Sequence, residues 1–79
     1  MSRQVTLKPR VKKRCKGLGI TKRQVAEALC VPDARVLTND GWLHARRRMD
    51  CGRTLIVRYV EKWDARKRSF RAVDVWCVD

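Results

Sequence analysis

The sequence lacks most of what a membrane protein, a secreted disulfide scaffold or a nucleotide-hydrolysing enzyme needs. No apolar run approaches the roughly 18–20 residues that span a bilayer, and residues 1–10 lack the apolar centre of a secretory signal. These absences predict a cytoplasmic chain that does not enter a membrane. No two of the four cysteines, Cys15, Cys30, Cys51 and Cys77, form a C-x-x-C pair, and the single histidine, His44, stands apart from them. Zinc sites of the knuckle and ribbon types need close ligand pairs, so neither a metal nor a cofactor is expected. Without a secretion signal the thiols read as reduced, with Cys15, Cys30 and Cys77 packed as small hydrophobes. There is no Gly-rich phosphate loop and no Ser/His/Asp order. Acids are scarce, 8 against 20 Lys or Arg. Glu61, Asp64 and Asp74 are available as carboxylates, with Glu61 a candidate base, but no spacing brings two of them together.

What is present is positive charge. The chain of 79 residues carries a formal +12, and at this length one domain, residues 1–79, is expected. Hydrophobic residues make up 44%, enough to argue against wholesale disorder. The charge is unevenly placed. Residues 1–23 hold Arg3, Lys8, Arg10, Lys12, Lys13, Arg14, Lys16, Lys22 and Arg23 and no acid. Residues 24–43 hold Arg35 against Glu27, Asp33 and Asp40, and residues 44–53 hold Arg46, Arg47, Arg48 and Arg53 against Asp50. Two concentrated basic segments are the footprint of a polyanionic partner. Nucleic acid is the first reading, an anionic protein surface the second, and an ordinary solvated basic surface the third.

Hydrophobic spacing sets the expected elements. Leu7, Val11, Cys15 and Leu18 fall on one face of a helix with Pro9 in its first turn. Lys8, Lys12, Lys13 and Lys16 lie opposite, flanked by Arg10 and Arg14, and Gly17 and Gly19 end the helix. A second helix follows over residues 20–30. Thr21 and Gln24 form a capping box there, and Ile20 and Val25 a hydrophobic staple, with Pro32 as the stop. Beyond Pro32 the period changes to two. Short strands are expected around residues 35–38, 42–49, 54–62 and 70–78. Asn39-Asp40-Gly41 and Asp50-Cys51-Gly52 are turns, and a polar turn spans residues 64–69. The expected fold class is α+β. An N-terminal αα-hairpin, about residues 6–30, packs on one face of a three- to four-stranded antiparallel meander, about residues 35–78.

Alternation puts Leu43, Ala45 and Met49 on one side of the mid-chain strand, with Arg47 the exception. Trp42, His44, Arg46 and Arg48 point to the other side, and Arg58 joins them if the register permits. Guanidinium groups hold phosphates bidentately, and an indole or imidazole stacks a base. Any half-exposed sheet shows polar alternation; four arginines in eight residues is what points to phosphate binding. His44 is the one group titrating near neutrality and is a candidate acid or base, its plainer reading being a surface residue. Trp76 reads as core. Trp42 and Trp63 sit at turns, as base platforms or as caps on the core edge.

Arg14-Cys15-Lys16-Gly17-Leu18-Gly19-Ile20-Thr21, then residues 25–29, Pro32, Gly41, Gly52-Arg53-Thr54-Leu55-Ile56-Val57 and residues 73–75 follow the order of a small bacterial family allied in architecture to the RelE/BrnT-like toxins. The chain resembles that family over about residues 5–78, through glycine, isoleucine and apolar pattern. It departs from it at Arg10, where the family has a His, and at Leu18, where the family has an Arg. The resemblance implies a RelE-like fold and metal-independent RNA cleavage. It implies Arg46, Arg48 and Arg58 as the analogous basic residues, which would bind the scissile phosphate with His44 or Tyr59 assisting proton transfer, so that these five are the catalytic candidates, while Lys8, Arg10, Lys12, Lys13, Lys16, Arg47 and Trp42 are the nucleic-acid-binding candidates. The alternatives are a nucleic-acid-binding module without catalysis, or a small inhibitor or phage-borne effector on an acidic protein. An acidic antitoxin is a further partner the resemblance implies.

Overall fold

The computed structural model describes residues 4–64 and 67–78. Its elements are β1 (Gln4–Leu7), α1 (Pro9–Leu18), α2 (Lys22–Cys30), β2 (Ala34–Leu37), β3 (Leu43–Arg48), β4 (Thr54–Asp64) and β5 (Lys67–Val78). The five strands form one sheet in the order β1-β5-β4-β3-β2. β2 to β5 pair antiparallel in chain order, whereas β1 pairs parallel with β5, Gln4 opposite Ser69 and Leu7 opposite Ala72. The class is α+β as expected, but the sheet is mixed and has five strands.

The first helix starts later than its apolar spacing suggests. Pro9 occupies the first helical position, and the preceding Lys8 is extended at ψ 151°. A residue before proline is pushed out of the helical region by the proline ring. Leu7 is therefore buried at the end of a strand and does not belong to the helix. α2 begins as its sequence predicts. The Gln24 amide donates to Thr21 Oγ1 at 3.1 Å, and the Thr21 amide donates to Gln24 Oε1 at 2.9 Å. Ile20 and Val25 on either side are both buried.

The two helices do not form a self-contained hairpin. Each docks on the same face of the sheet, α1 over β5 and β1, α2 over β4 and β3. One core joins Leu7, Val11, Cys15, Ile20, Val25, Ala28 and Leu29 to Ala45, Leu55, Val57, Tyr59, Phe70, Ala72 and Val75. The last turn of α2 has no basic residue of its own. Its free carbonyls are satisfied from the sheet: Arg35 Nη2 donates to the Leu29 carbonyl at 2.7 Å, and Arg47 Nη1 to the Val31 carbonyl at 2.6 Å. Cations suit a helix C-terminus because they meet both unpaired acceptors and the negative end of the dipole. Arg35 also donates to the buried Tyr59 hydroxyl at 2.8 Å.

The β2–β3 and β3–β4 turns are built alike. Thr38 N bonds Trp42 O at 2.8 Å, and Gly41 N bonds Thr38 O at 3.0 Å; Met49 N bonds Arg53 O at 2.8 Å, and Gly52 N bonds Met49 O at 2.9 Å. The third loop residue takes positive φ in each, 87° at Gly41 and 91° at Gly52, as three-residue hairpin loops require. The expected polar turn over residues 64–69 is shorter, since β4 extends to Asp64 and β5 starts at Lys67; Ala65 and Arg66 lie outside the described residues. β5 carries a bulge. Arg58 pairs with Asp74 but Tyr59 with Ala72, which leaves Val73 as an extra residue. From Phe70 to Ala72 the even-numbered side chains face the helices, and from Asp74 onward the odd-numbered ones do.

Replacing Arg35 by Met leaves the Tyr59 hydroxyl buried without a partner. The expected loss is about 1–3 kcal/mol of stability in urea unfolding, and a Tyr59→Phe change added to Arg35→Met recovers part of it.

Candidate nucleic-acid interface

The helices cover one face of the sheet, and no described element covers the other. Side chains on this open face fall into cross-strand rows. Val36, His44, Arg58 and Asp74 form one row, and Ala34, Arg46, Ile56 and Trp76 form the next. Arg48, Thr54 and Val78 follow. Same-face neighbours on a strand are about 7 Å apart, so Arg48 lies about 13 Å along β3 from His44.

Long side chains take the place of a second layer. The His44 and Trp76 rings meet edge to face, 5.2 Å between centroids at 85°. The Arg58 guanidinium stands 5.4 Å from the Trp42 ring centre and 5.8 Å from that of Trp76. Arg58 Nε also donates to His44 Nε2 at 3.2 Å. That acceptor role puts the proton of the neutral imidazole on Nδ1. Beneath this cluster His44 is only 9% exposed and Ile56 only 4%, although both belong to the uncovered face. Arg46 and Arg48 are exposed beside it. Among the described residues, neither has a side-chain hydrogen bond or ion pair.

Burial and the positive charges of Arg58 and Arg46 hold the His44 pKa below its ordinary value, with only Asp40 acting the other way. His44 is thus a neutral acceptor at neutral pH. Its Nε2 lone pair is directed at Arg58.

The other candidates are placed as follows. Tyr59 is on the helix side, 1% exposed, with its hydroxyl held by Arg35; the sheet separates it from His44. Arg47 is also on the helix side, bound to the Val31 carbonyl, so it closes α2 and does not belong to the basic row. Glu61 is paired with Arg68, whose guanidinium lies 4.8 Å from the Phe70 ring centre and 5.5 Å from that of Trp63. Lys8, Arg10, Lys12, Lys13 and Lys16 are exposed around α1. Val11 and Cys15 face the sheet, so at 100° per residue Lys13 and Lys16 point away from it. The two basic surfaces are therefore on opposite sides of the molecule. Arg14 reaches the Asp74 carboxylate at 3.7 Å.

Trp76, read from the sequence as core, is instead half-buried on the open face. Strict alternation from the buried Phe70 assigns Trp76 to the core side; the extra residue Val73 reverses the phase. No residue in the segment advertises the bulge.

All four cysteines are free thiols. Cys15 is buried, and Cys30 and Cys77 pack partly buried against the core. Burial pushes the Cys15 and Cys77 thiols up, away from the reactive thiolate. Among the described residues no group of His, Cys, Asp or Glu is placed to hold a metal ion, and no helix is long and apolar enough to cross a membrane. Comparison with known proteins gives no matching family model, curated protein or solved structure.

A depressed histidine pKa means that the unfolded chain binds the proton more tightly than the folded one. The His44 contribution is then fully present above its unfolded value of 6.5 and is lost as pH falls below it. The expected result is a declining unfolding midpoint between about pH 7 and pH 5. His44 is the only histidine in the chain, and its ring signals in NMR should titrate below 6.5.

Proposed function

We propose that the chain is a nucleic-acid-binding module that holds single-stranded RNA on the open face of its sheet. The observation that carries this reading is the arrangement of Trp42, Arg58, His44 and Trp76 in one contiguous layer, with the unpaired Arg46 and Arg48 at its border. Flat rings accept bases of any sequence, and guanidinium groups accept phosphates. An unstacked strand can present both at once, whereas a duplex hides the faces of its bases.

Binding without cleavage is favoured over a RelE-like ribonuclease. Cleavage through a 2′-hydroxyl needs a base and an acid on either side of one phosphate. His44 is nearly buried and its acceptor faces Arg58, Tyr59 belongs to the opposite side of the sheet, and Glu61 is paired with Arg68. The remaining arginines can bind the polyanion but supply no proton acceptor. The lysines of α1 point away from this surface and act on RNA through long-range attraction, which salt screens.

Fluorescence anisotropy with a labelled single-stranded RNA tests the reading. Binding should weaken steeply with salt, and the Arg46→Ala, Arg48→Ala double variant should flatten the log–log slope by about 1.4, or 0.7 for each phosphate no longer neutralised. Trp76→Ala should cost about 1–3 kcal/mol of affinity. Changing Lys12, Lys13 and Lys16 together to Ala should weaken binding less than the Arg46, Arg48 pair does. RNA incubated with the protein in chelator should remain intact. A larger effect from the α1 lysines would move the site to the helix side, and cut RNA would restore the ribonuclease reading.

A further inference from the structure

β4 and β5 outrun the rest of the sheet. β3 pairs with β4 only over residues 54–59, and β1 pairs with β5 only over residues 69–72. Residues 60–64 and 67–71 remain paired with each other and continue as an arm. At the rise of a strand the arm projects about 15 Å past the end of β3.

The arm has two unlike faces. On the helix side Arg68 pairs with Glu61, and its guanidinium lies 4.8 Å from the Phe70 ring centre and 5.5 Å from that of Trp63. The cation on that side is thus committed to an acid and two rings. On the open side, alternation places Lys62 of β4 and Lys67 and Arg71 of β5, with Thr6 of β1 beside Arg71. All three cations are exposed, and among the described residues none of them has an ion-pair partner.

These residues prolong the rows of the candidate interface in one direction. In order along the open face come Arg48 with Thr54, Arg46 with Ile56 and Trp76, His44 with Arg58 and Asp74, then Val60 with Arg71, Lys62 with Ser69, and Asp64 opposite Lys67. Cations therefore flank the ring cluster on both sides. The two acids in these rows are Asp74, which Arg14 meets at 3.7 Å, and Asp64 at the far end. β4 has 11 residues from Thr54 to Asp64, so its ends are about 33 Å apart. A stacked single strand advances about 3.4 Å per nucleotide, so about ten nucleotides cover that length. The ring cluster offers surfaces for bases, whereas this face of the arm offers only positive charge, the complement of a phosphate backbone.

We propose that the arm is the second half of the RNA-binding surface: Lys62, Lys67 and Arg71 hold phosphates of the same single strand after it leaves the ring cluster. This assignment rests on the RNA reading of the open face and adds the direction in which the strand runs. The strand passes from Arg48 across Trp76, His44, Arg58 and Trp42 and out along β4 and β5.

The test compares single-stranded RNAs of about four and about twelve nucleotides, which bracket partial and full occupancy of such a surface. In fluorescence anisotropy, the Lys62→Ala, Lys67→Ala, Arg71→Ala variant should flatten the log–log salt slope for the longer RNA by about 2.1, or 0.7 for each phosphate no longer neutralised. The slope for the shorter RNA should be unchanged. Trp76→Ala should weaken both RNAs, and Trp63→Ala, on the other face of the same arm, should weaken neither. In wild-type protein the backbone amide NMR signals of Lys62, Ser69 and Arg71 should move with the longer RNA and stay in place with the shorter, a result that needs no variant to fold. An arm variant with the wild-type slope on the longer RNA, or arm signals that ignore that RNA, overturns the proposal while loss of binding in Trp76→Ala keeps the RNA reading of the ring cluster. A loss from Trp63→Ala as large as that from Trp76→Ala puts the strand on the other face of the arm and also overturns it. If neither RNA binds, the RNA reading itself fails and the arm assignment with it.

Discussion

One constraint runs through this structure: two short helices have to serve a five-stranded sheet, and they cover one side of it. The covered side is an ordinary core of Val, Leu, Ala, Tyr and Phe. The uncovered side must still keep water from Ile56 and from the edges of its own strands. It does so with side chains that are apolar along their length and polar at the tip, Arg58 over two indoles and His44 beneath them. Arginine suits this task because its guanidinium is weakly hydrated and flat, so it can lie on a ring without losing its charge. The features that make the face a candidate for nucleic acid are thus also those that let a thin sheet exist in water. Structural and proposed binding roles coincide at Arg58 and Trp76 and separate at Arg46 and Arg48, which are exposed.

The same division explains why the arginines of this chain are not interchangeable. Arg35 and Arg47 lie on the helix side and terminate α2, a position the helix itself leaves without a basic residue. Arg68 is engaged with Glu61 and two rings, and Arg14 with Asp74. The net charge overstates the cations free for a ligand. Among the described residues, Arg46 and Arg48 are exposed on the open face, and Lys13 and Lys16 are exposed on the far side of α1.

Much of the local structure was legible in the sequence because it depends on neighbours. The capping box at Thr21 and Gln24, the staple of Ile20 and Val25 and the glycine turns at Gly41 and Gly52 are all contacts within five residues. The face assignment of His44, Arg46 and Arg48 followed from period two alone. What the pattern hid was non-local or arose from a break in period. β1 has four residues and pairs with a strand near the other end of the chain, so its apolar Leu7 was absorbed into the helical spacing that follows. The placement of Arg47 depends on a carbonyl sixteen positions away. Trp76 changed sides because Val73 is one residue too many. The Trp76 miss moved a residue from the expected core to the open face and so altered the composition of the candidate site itself.

The parallel pairing of β1 with β5 has a kinetic side. Gln4 meets Ser69, far along the chain, so β1 must wait for the later-made β5 before it can pair. Until β5 is made, Leu7 and the underside of α1 have no sheet to rest on, and β4 has one free edge. Contacts so distant in sequence slow folding, and an apolar segment kept waiting is exposed to association. The acid-free stretch that surrounds α1 suits this interval: a nascent chain with such charge repels its copies while the strand that will cover it is still being synthesised.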